Sequence, residues 1–325
     1  MPQKFVAIAW NTFIETIRQP IFSILAWVAI FWVALASPSL AAFSLTLGND
    51  VKVMKDVGLA TLLMYGLFTS VFSASGVITR EIEAQTVLTV VSKPVSRPVF
   101  LLGKYVGVLA ATCVGFYVVS LAFFLAARHG VMESAGQHYD MPVWIFGVAA
   151  VVISLLAGGV GNFFYGWNFL ATLTGWVVPL LTLALGLVLC ISPTWQFQPP
   201  WTDFGNLQLV YACALILCGV LILTAFAVAL STRFSQVITL MLCVGVLWLG
   251  LTSDYYLGQH RLEGLHYRVL YLAVPNFQFF WVGNALTQEQ IIPLSLLANA
   301  AAYAGLYTLG VLALGIALFE TREVG

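Results

Sequence analysis

Residues 79–104 read TREIEAQTVLTVVSKPVSRPVFLLGK and hold six charged side chains, Arg80, Glu81, Glu83, Lys93, Arg97 and Lys104, in a chain that is otherwise almost wholly apolar. Ile78, Ile82, Val87, Val90 and Val91 fall mostly three to five residues apart, which predicts a short amphipathic helix over Thr79–Ser92. Pro94 and Pro98 end it, since proline lacks an N–H and disfavours helix in the residue before it. The stretch thus reads as a helix, a bent basic linker and a new apolar run from Val99. Such a segment suits a membrane surface, with its polar side turned to a soluble partner. The plainer reading of Glu81, Glu83 and Thr86 is a solvated helix face. Lys93, Arg97 and Lys104 have the chemistry to hold lipid phosphates at the inner leaflet.

Around this island the composition decides the class. With 61% apolar and 8% charged residues, and a mean hydropathy of +0.97, the chain departs from soluble proteins, where about a quarter of residues are charged. It reads as an all-α integral membrane protein. Thirteen basic and thirteen acidic residues cancel, so no global field recruits nucleic acid. Cys113, Cys190, Cys213, Cys218 and Cys243 all fall in predicted spans, where they serve as small apolar residues. No removable signal peptide is read at the N-terminus, and the first span is expected to direct insertion.

Outward from the island, eight spans are expected. Phe5, Ile8, Ala9, Thr12, Phe13, Thr16 and Ile17 share one face of a helix opposite Lys4, Asn11, Glu15 and Arg18. This predicts an interfacial helix over residues 1–20, stopped at Pro20, unless it is only the solvated start of the first span. Ile21–Leu45 is that first span, GNDVKVMKD a polar loop, Val57–Ile78 the second span and Val99–Ala127 the third. From Pro142 to Ile191 there is no charge, over a length more than twice the roughly 20 residues of one crossing. Glycines and Asn162 and Asn168 near its middle predict a turn at 162–170 between spans four and five. A re-entrant hairpin is the alternative. After the Pro- and Trp-rich loop SPTWQFQPPWTDFGN come span six, Leu207–Leu230, the turn STRFSQ, and span seven, Val237–Tyr256. Residues 257–288 read as an exterior amphipathic helix partly sunk in the bilayer surface, and Ile291–Phe319 is span eight. Basic residues number eight on the proposed inner side and five on the outer, which places both termini in the cytoplasm.

Gly103-Lys104 is not a nucleotide loop, because Pro98 stands where a glycine is required and Tyr105 where Ser or Thr is required. His129, His138, His260 and His266 fall in exterior loops without ligand spacing, so no metal is expected. The spans hold almost no ionisable residue, which speaks against an ion-coupled carrier. Arg128, Asp254 and Glu289 sit at span ends, where a solvated or snorkelling role is expected.

Glu81, Glu83, Thr86, Lys93-Pro94, Arg97 and Gly103-Lys104 resemble the cytoplasmic signature between the second and third spans of type-2 ATP-binding-cassette exporter permeases. LSTRFSQVITLMLCVGVLWLGLTSDYY (230–256) and LFETREVG (318–325) are similar to that family's nitrous-oxide-reductase-maturation-like branch. Residues 130–206 look like an insertion. The resemblance implies one permease domain over residues 1–325 in a bacterial cytoplasmic membrane, with 79–98 as a coupling segment that docks on a cytosolic ABC ATPase through Glu81, Glu83 and Thr86. It further implies a second permease copy as partner, ATP and Mg bound only by the ATPase, and a pathway lined by spans one, two and seven. No catalytic residue and no cofactor are expected in this chain. An apolar interior favours a lipidic or hydrophobic substrate. A membrane-embedded scaffold without transport, or a secondary carrier, are the other readings.

Overall fold

The computed structural model describes residues 2–36, 39, 50–83, 96–131, 139–200, 202, 207–260, 264–288 and 290–320, less the side chains of residues 80, 82, 83 and 287. Among them there are helices and no strand. Helix α1 spans Pro2–Ile17, and α2 spans Pro20–Phe31 and runs on as a π-helical turn, Trp32–Ala36. They are followed by α3 (Asp50–Glu83), α4 (Arg97–His129), α5 (Met141–Tyr165) and α6 (Phe169–Cys190). Then come α7 (Gln208–Ser231), α8 (Gln236–Ser253, extended by a π-turn to Gly258), α9 (Leu265–Ala273), α10 (Gly283–Thr287) and α11 (Leu294–Glu320). Among the described residues seven helices are long and apolar enough to cross a membrane, with the bent pair α1–α2 an eighth if taken as one span. This is an all-α polytopic bundle. The rest of the expected first span, beyond Ala36, lies largely outside the described residues.

Alternation of direction fixes two ends. The lower end gathers the close of α3, the start of α4, the α5–α6 and α7–α8 turns and the close of α11; the upper end gathers the start of α3, the close of α4, the start of α5, the close of α6 and the start of α7. Helices α3, α4 and α7 bury most of their side chains, whereas α5, α6, α8 and α11 bury a minority. The α3–α7 seam follows membrane packing logic, in which small and hydroxyl residues let backbones approach. Ser70 bonds Thr224 at 2.7 Å and Ser75 bonds Ser231 at 3.0 Å, both buried.

Four expectations are corrected, the last of them for α1. The polar loop GNDVKVMKD is helical from Asp50, because Met54 turns inward (1% exposed) while Lys52 and Lys55 occupy other sides and Asp50 sits favourably in the first turn. Residues 79–83 are not a separate helix but the end of α3, since no breaker separates Ile78 from Glu83. Within 257–288 only α9 matches the expected surface helix, with Leu265, Val269 and Leu272 exposed. Phe277 and Phe280 instead plug the bundle, 2% and 1% exposed, against Gly219 of α7, while Phe277 also meets Gly250 of α8. The turn between α5 and α6 does fall within 162–170. Gly166 takes φ +64°, Asn162 Nδ2 donates to Trp167 O at 2.7 Å, and Asn168 Oδ1 caps α6 by accepting from Ala171 N. Both helices exceed the roughly 20 residues of a crossing, which favours two spans over a re-entrant dip.

The face of α1 expected to meet lipid packs on protein. Thr12, Thr16 and Ile17 are buried, and α1 lies against α4 where Gly103 and Gly107 admit it. A β-carbon on Gly107 would stand 2.5 Å from Ala9 O, a backbone atom that moves only if α1 moves. Gly107→Val is therefore expected to lift α1 off α4 at a cost of about 2–3 kcal/mol. Tryptic cleavage at Arg18 in detergent solution reads this, as a rate at least about tenfold above wild type.

Candidate functional site

The charged island of the sequence converges at the lower end. Lys104 lies two turns into α4, where Gly103 beside it is covered by Ile8 of α1. It is 4% exposed, and its Nζ reaches Glu81 Oε1 on α3 at 2.7 Å. The ammonium also sits 5.5 Å from the centroid of the Phe100 ring, a favourable cation–π placement. Phe100 stacks on Phe319 of α11 with centroids 5.9 Å apart.

Two turns before Lys104 on α4, Arg97 lies by the other ring of this aromatic pair, its Cζ 5.7 Å from the Phe319 centroid. Its NH1 donates to Phe319 O at 3.1 Å and to Glu320 O. Arg233, in the α7–α8 turn, donates from Nε to Leu318 O at 2.9 Å and again from NH2. The final carbonyls of a helix have no partner within it and carry the negative end of its dipole. Two guanidiniums from different elements therefore cap α11. Thr79 and Ser75 reach Ser231 O and Ser231 Oγ, so the end of α3 is tied to the end of α7 as well.

The residues singled out by sequence thus divide. Glu81 and Arg97 come together at this end, on opposite flanks of residues 84–95. Lys104 is turned away from any lipid phosphate, because its partner is Glu81 inside the bundle; this corrects its expected anchoring role. Glu83 closes α3. Thr86 and Lys93 lie outside the described residues. Arg233 and Phe319 were not singled out, since nothing local marks a carbonyl 85 residues away as the partner of a turn arginine.

At the upper end Arg128, expected to snorkel, is 6% exposed and ion-paired with Asp140, Nε to Oδ2 3.2 Å. His129 packs on Tyr139 and Trp144. Among the described residues no cluster of three metal-ligating side chains occurs.

Protein-family models, curated proteins and solved structures give no match to this chain. The site therefore stands on its own chemistry. Among the described residues it holds the hydroxyls of Ser75, Thr79 and Ser231 and the Glu81–Lys104 pair, and it bonds the ends of α3, α4, α7 and α11 into one unit.

Proposed function

We propose that the chain is the permease subunit of an ATP-binding-cassette transporter in a bacterial cytoplasmic membrane, working with a second permease copy and a cytosolic ATPase that docks on residues 79–98. One observation carries this reading: the helix ends that border residues 84–95 are both bonded into the bundle, Glu81 of α3 to Lys104 and Arg97 of α4 to the closing carbonyls of α11. A load applied to that segment acts on four spanning helices together, which is what a subunit without its own nucleotide site needs from a coupling element. On this reading Glu83 and Thr86 are the residues that dock, Lys93 is the one that binds lipid phosphates, and Glu81 transmits rather than docks.

The test is co-purification of full-length protein from its native membrane, with ATP hydrolysis assayed on the purified material. Glu83→Lys/Thr86→Arg is expected to lose the ATPase and lower hydrolysis by about tenfold or more, in line with loss of an interface charge contact. Absence of any ATPase from wild-type material sinks the reading in favour of a membrane scaffold.

A further inference from the structure

The bundle contains a polar seam that the coupling junction does not use. The broken helix α1–α2 carries Thr12 and Thr16 one turn apart before the break and Gln19 and Ser23 one turn apart after it. Helix α3 presents Tyr65, Thr69, Ser73 and Gly76 at the same kind of spacing, and α4 presents Gly107, Thr112 and Gly115. These faces meet. A β-carbon built on Gly76 would lie 3.0 Å from Gln19 Nε2, one on Gly107 2.5 Å from Thr12 Cβ, and one on Gly115 1.8 Å from the Tyr65 hydroxyl.

Every polar side chain of the seam is buried: Thr12, Thr16, Thr69, Ser73 and Thr112 are 0% exposed, and Gln19, the most open, is 9% exposed. Elsewhere in the same helices hydroxyls are satisfied by the carbonyl four residues earlier, as in Thr61 to Val57 O and Ser120 to Phe116 O. In the seam they are not. Thr12, Thr16, Ser23, Ser73 and Thr112, and both ends of the Gln19 carboxamide, make no hydrogen bond. Tyr65 and Thr69, one turn apart, incline only toward each other, short of bonding geometry.

An unbonded buried polar group costs about 1–3 kcal/mol, and buried polar groups in proteins normally have partners. Eight such side chains on three helical faces that pack together call for a partner that comes and goes. A cavity of about 20 Å³ beside Ser23, Phe22 and Gly115 has room for one water, which needs roughly 10–15 Å³; eight groups need more. The added room has an evident source. Helix α1 meets α2 at 60° across Arg18–Gln19, where Pro20 supplies no N–H and Gln19 N reaches only back to Thr16 O at 3.1 Å. In membranes such breaks are tolerated where they line a polar site.

We propose that this seam is a binding site for water and for small uncharged solutes bearing hydroxyl or amide groups, and that the α1–α2 break is the wall that moves to admit them. The seam offers hydroxyls and one carboxamide and no formal charge, which sets the class of ligand. The site belongs to one protomer and does not depend on an ATPase, so its test is separate from that of the transport reading.

The test uses iodoacetamide, itself a small amide-bearing solute, on full-length protein in lipid nanodiscs. Thr69→Cys and Ser73→Cys are compared with Val71→Cys, at the same depth on α3 but off the seam, and with the native buried Cys243. Both seam thiols are expected to alkylate at least about tenfold faster than the two controls, because alkylation needs a hydrated thiolate. If Ser73→Cys does not fold, Thr69→Cys carries the comparison alone. Rates equal to those of Val71→Cys and Cys243 overturn the proposal.

Discussion

Asp140→Ala is expected to lower the stability of the detergent-solubilised protein by about 3–5 kcal/mol, the cost of breaking a buried ion pair by deleting one partner. Both members of the Arg128–Asp140 pair are 6% exposed, so neither can fall back on solvent. Deletion of the carboxylate leaves a buried guanidinium with only part of its bonding, chiefly to Ile191 O. The same carboxylate caps α5 by accepting from Val143 N at 3.4 Å, and a lost cap adds about 1 kcal/mol. Arg128→Met should cost less, because Met keeps much of the stem volume and Asp140 keeps its capping oxygen on Val143 N. Asp140→Asn, which retains the cap and loses the charge, should fall between the two. Thermal unfolding of the three variants ranks them. An Asp140→Ala protein within about 1 kcal/mol of wild type would mean that the pair is wet and of surface strength.

The second large effect is an asymmetry at the lower end. Glu81→Ala is expected to cost about 2–3 kcal/mol, because it strands the Lys104 ammonium, its side chain 5% exposed, beside the Phe100 ring. The figure sits at the low end of the buried-pair range because the Glu81 side chain is 31% exposed. Lys104→Met removes the buried charge, keeps most of the stem volume and leaves a carboxylate that can turn to water. It should therefore cost about 1 kcal/mol or less. The double variant should be more stable than Glu81→Ala alone. A double-mutant cycle by denaturant unfolding checks this, and two equal single effects would contradict the burial of Lys104.

Much of this architecture was legible in the sequence because the bilayer restricts the chain so strongly. Apolar runs without charge have to be spanning helices, and the Gly- and Asn-rich stretch at 158–168 has to break a run too long for one crossing. The errors came where local pattern was overruled by partners far away in the chain. The face of α1 that reads as lipid-seeking is equally suited to α4, and nothing in residues 1–20 says that Gly103 and Gly107 make room for it. Lys104 reads as a surface lysine because it follows a basic linker, yet its partner lies on the preceding helix, 23 residues back. Phe277 and Phe280 read as interfacial aromatics, and only Gly219 and Gly250 on two other helices turn them into a plug. The polar seam was invisible because scattered Ser and Thr residues carry no signal until three helical faces meet.

Helices α5 and α6 pack chiefly on one another and touch the remaining bundle mostly through α4. Their shared tip carries Phe163, Phe164, Tyr165 and Trp167, from 53% to 82% exposed. A pair that packs mainly on itself can close without α7 to receive it. It behaves as a cassette within the chain. Among the described residues its polar ties to the core are few, Arg128 on Asp140 and Ile191 and Tyr117 on Thr182, so the α3–α4–α7 core can keep its register while the pair shifts as one body.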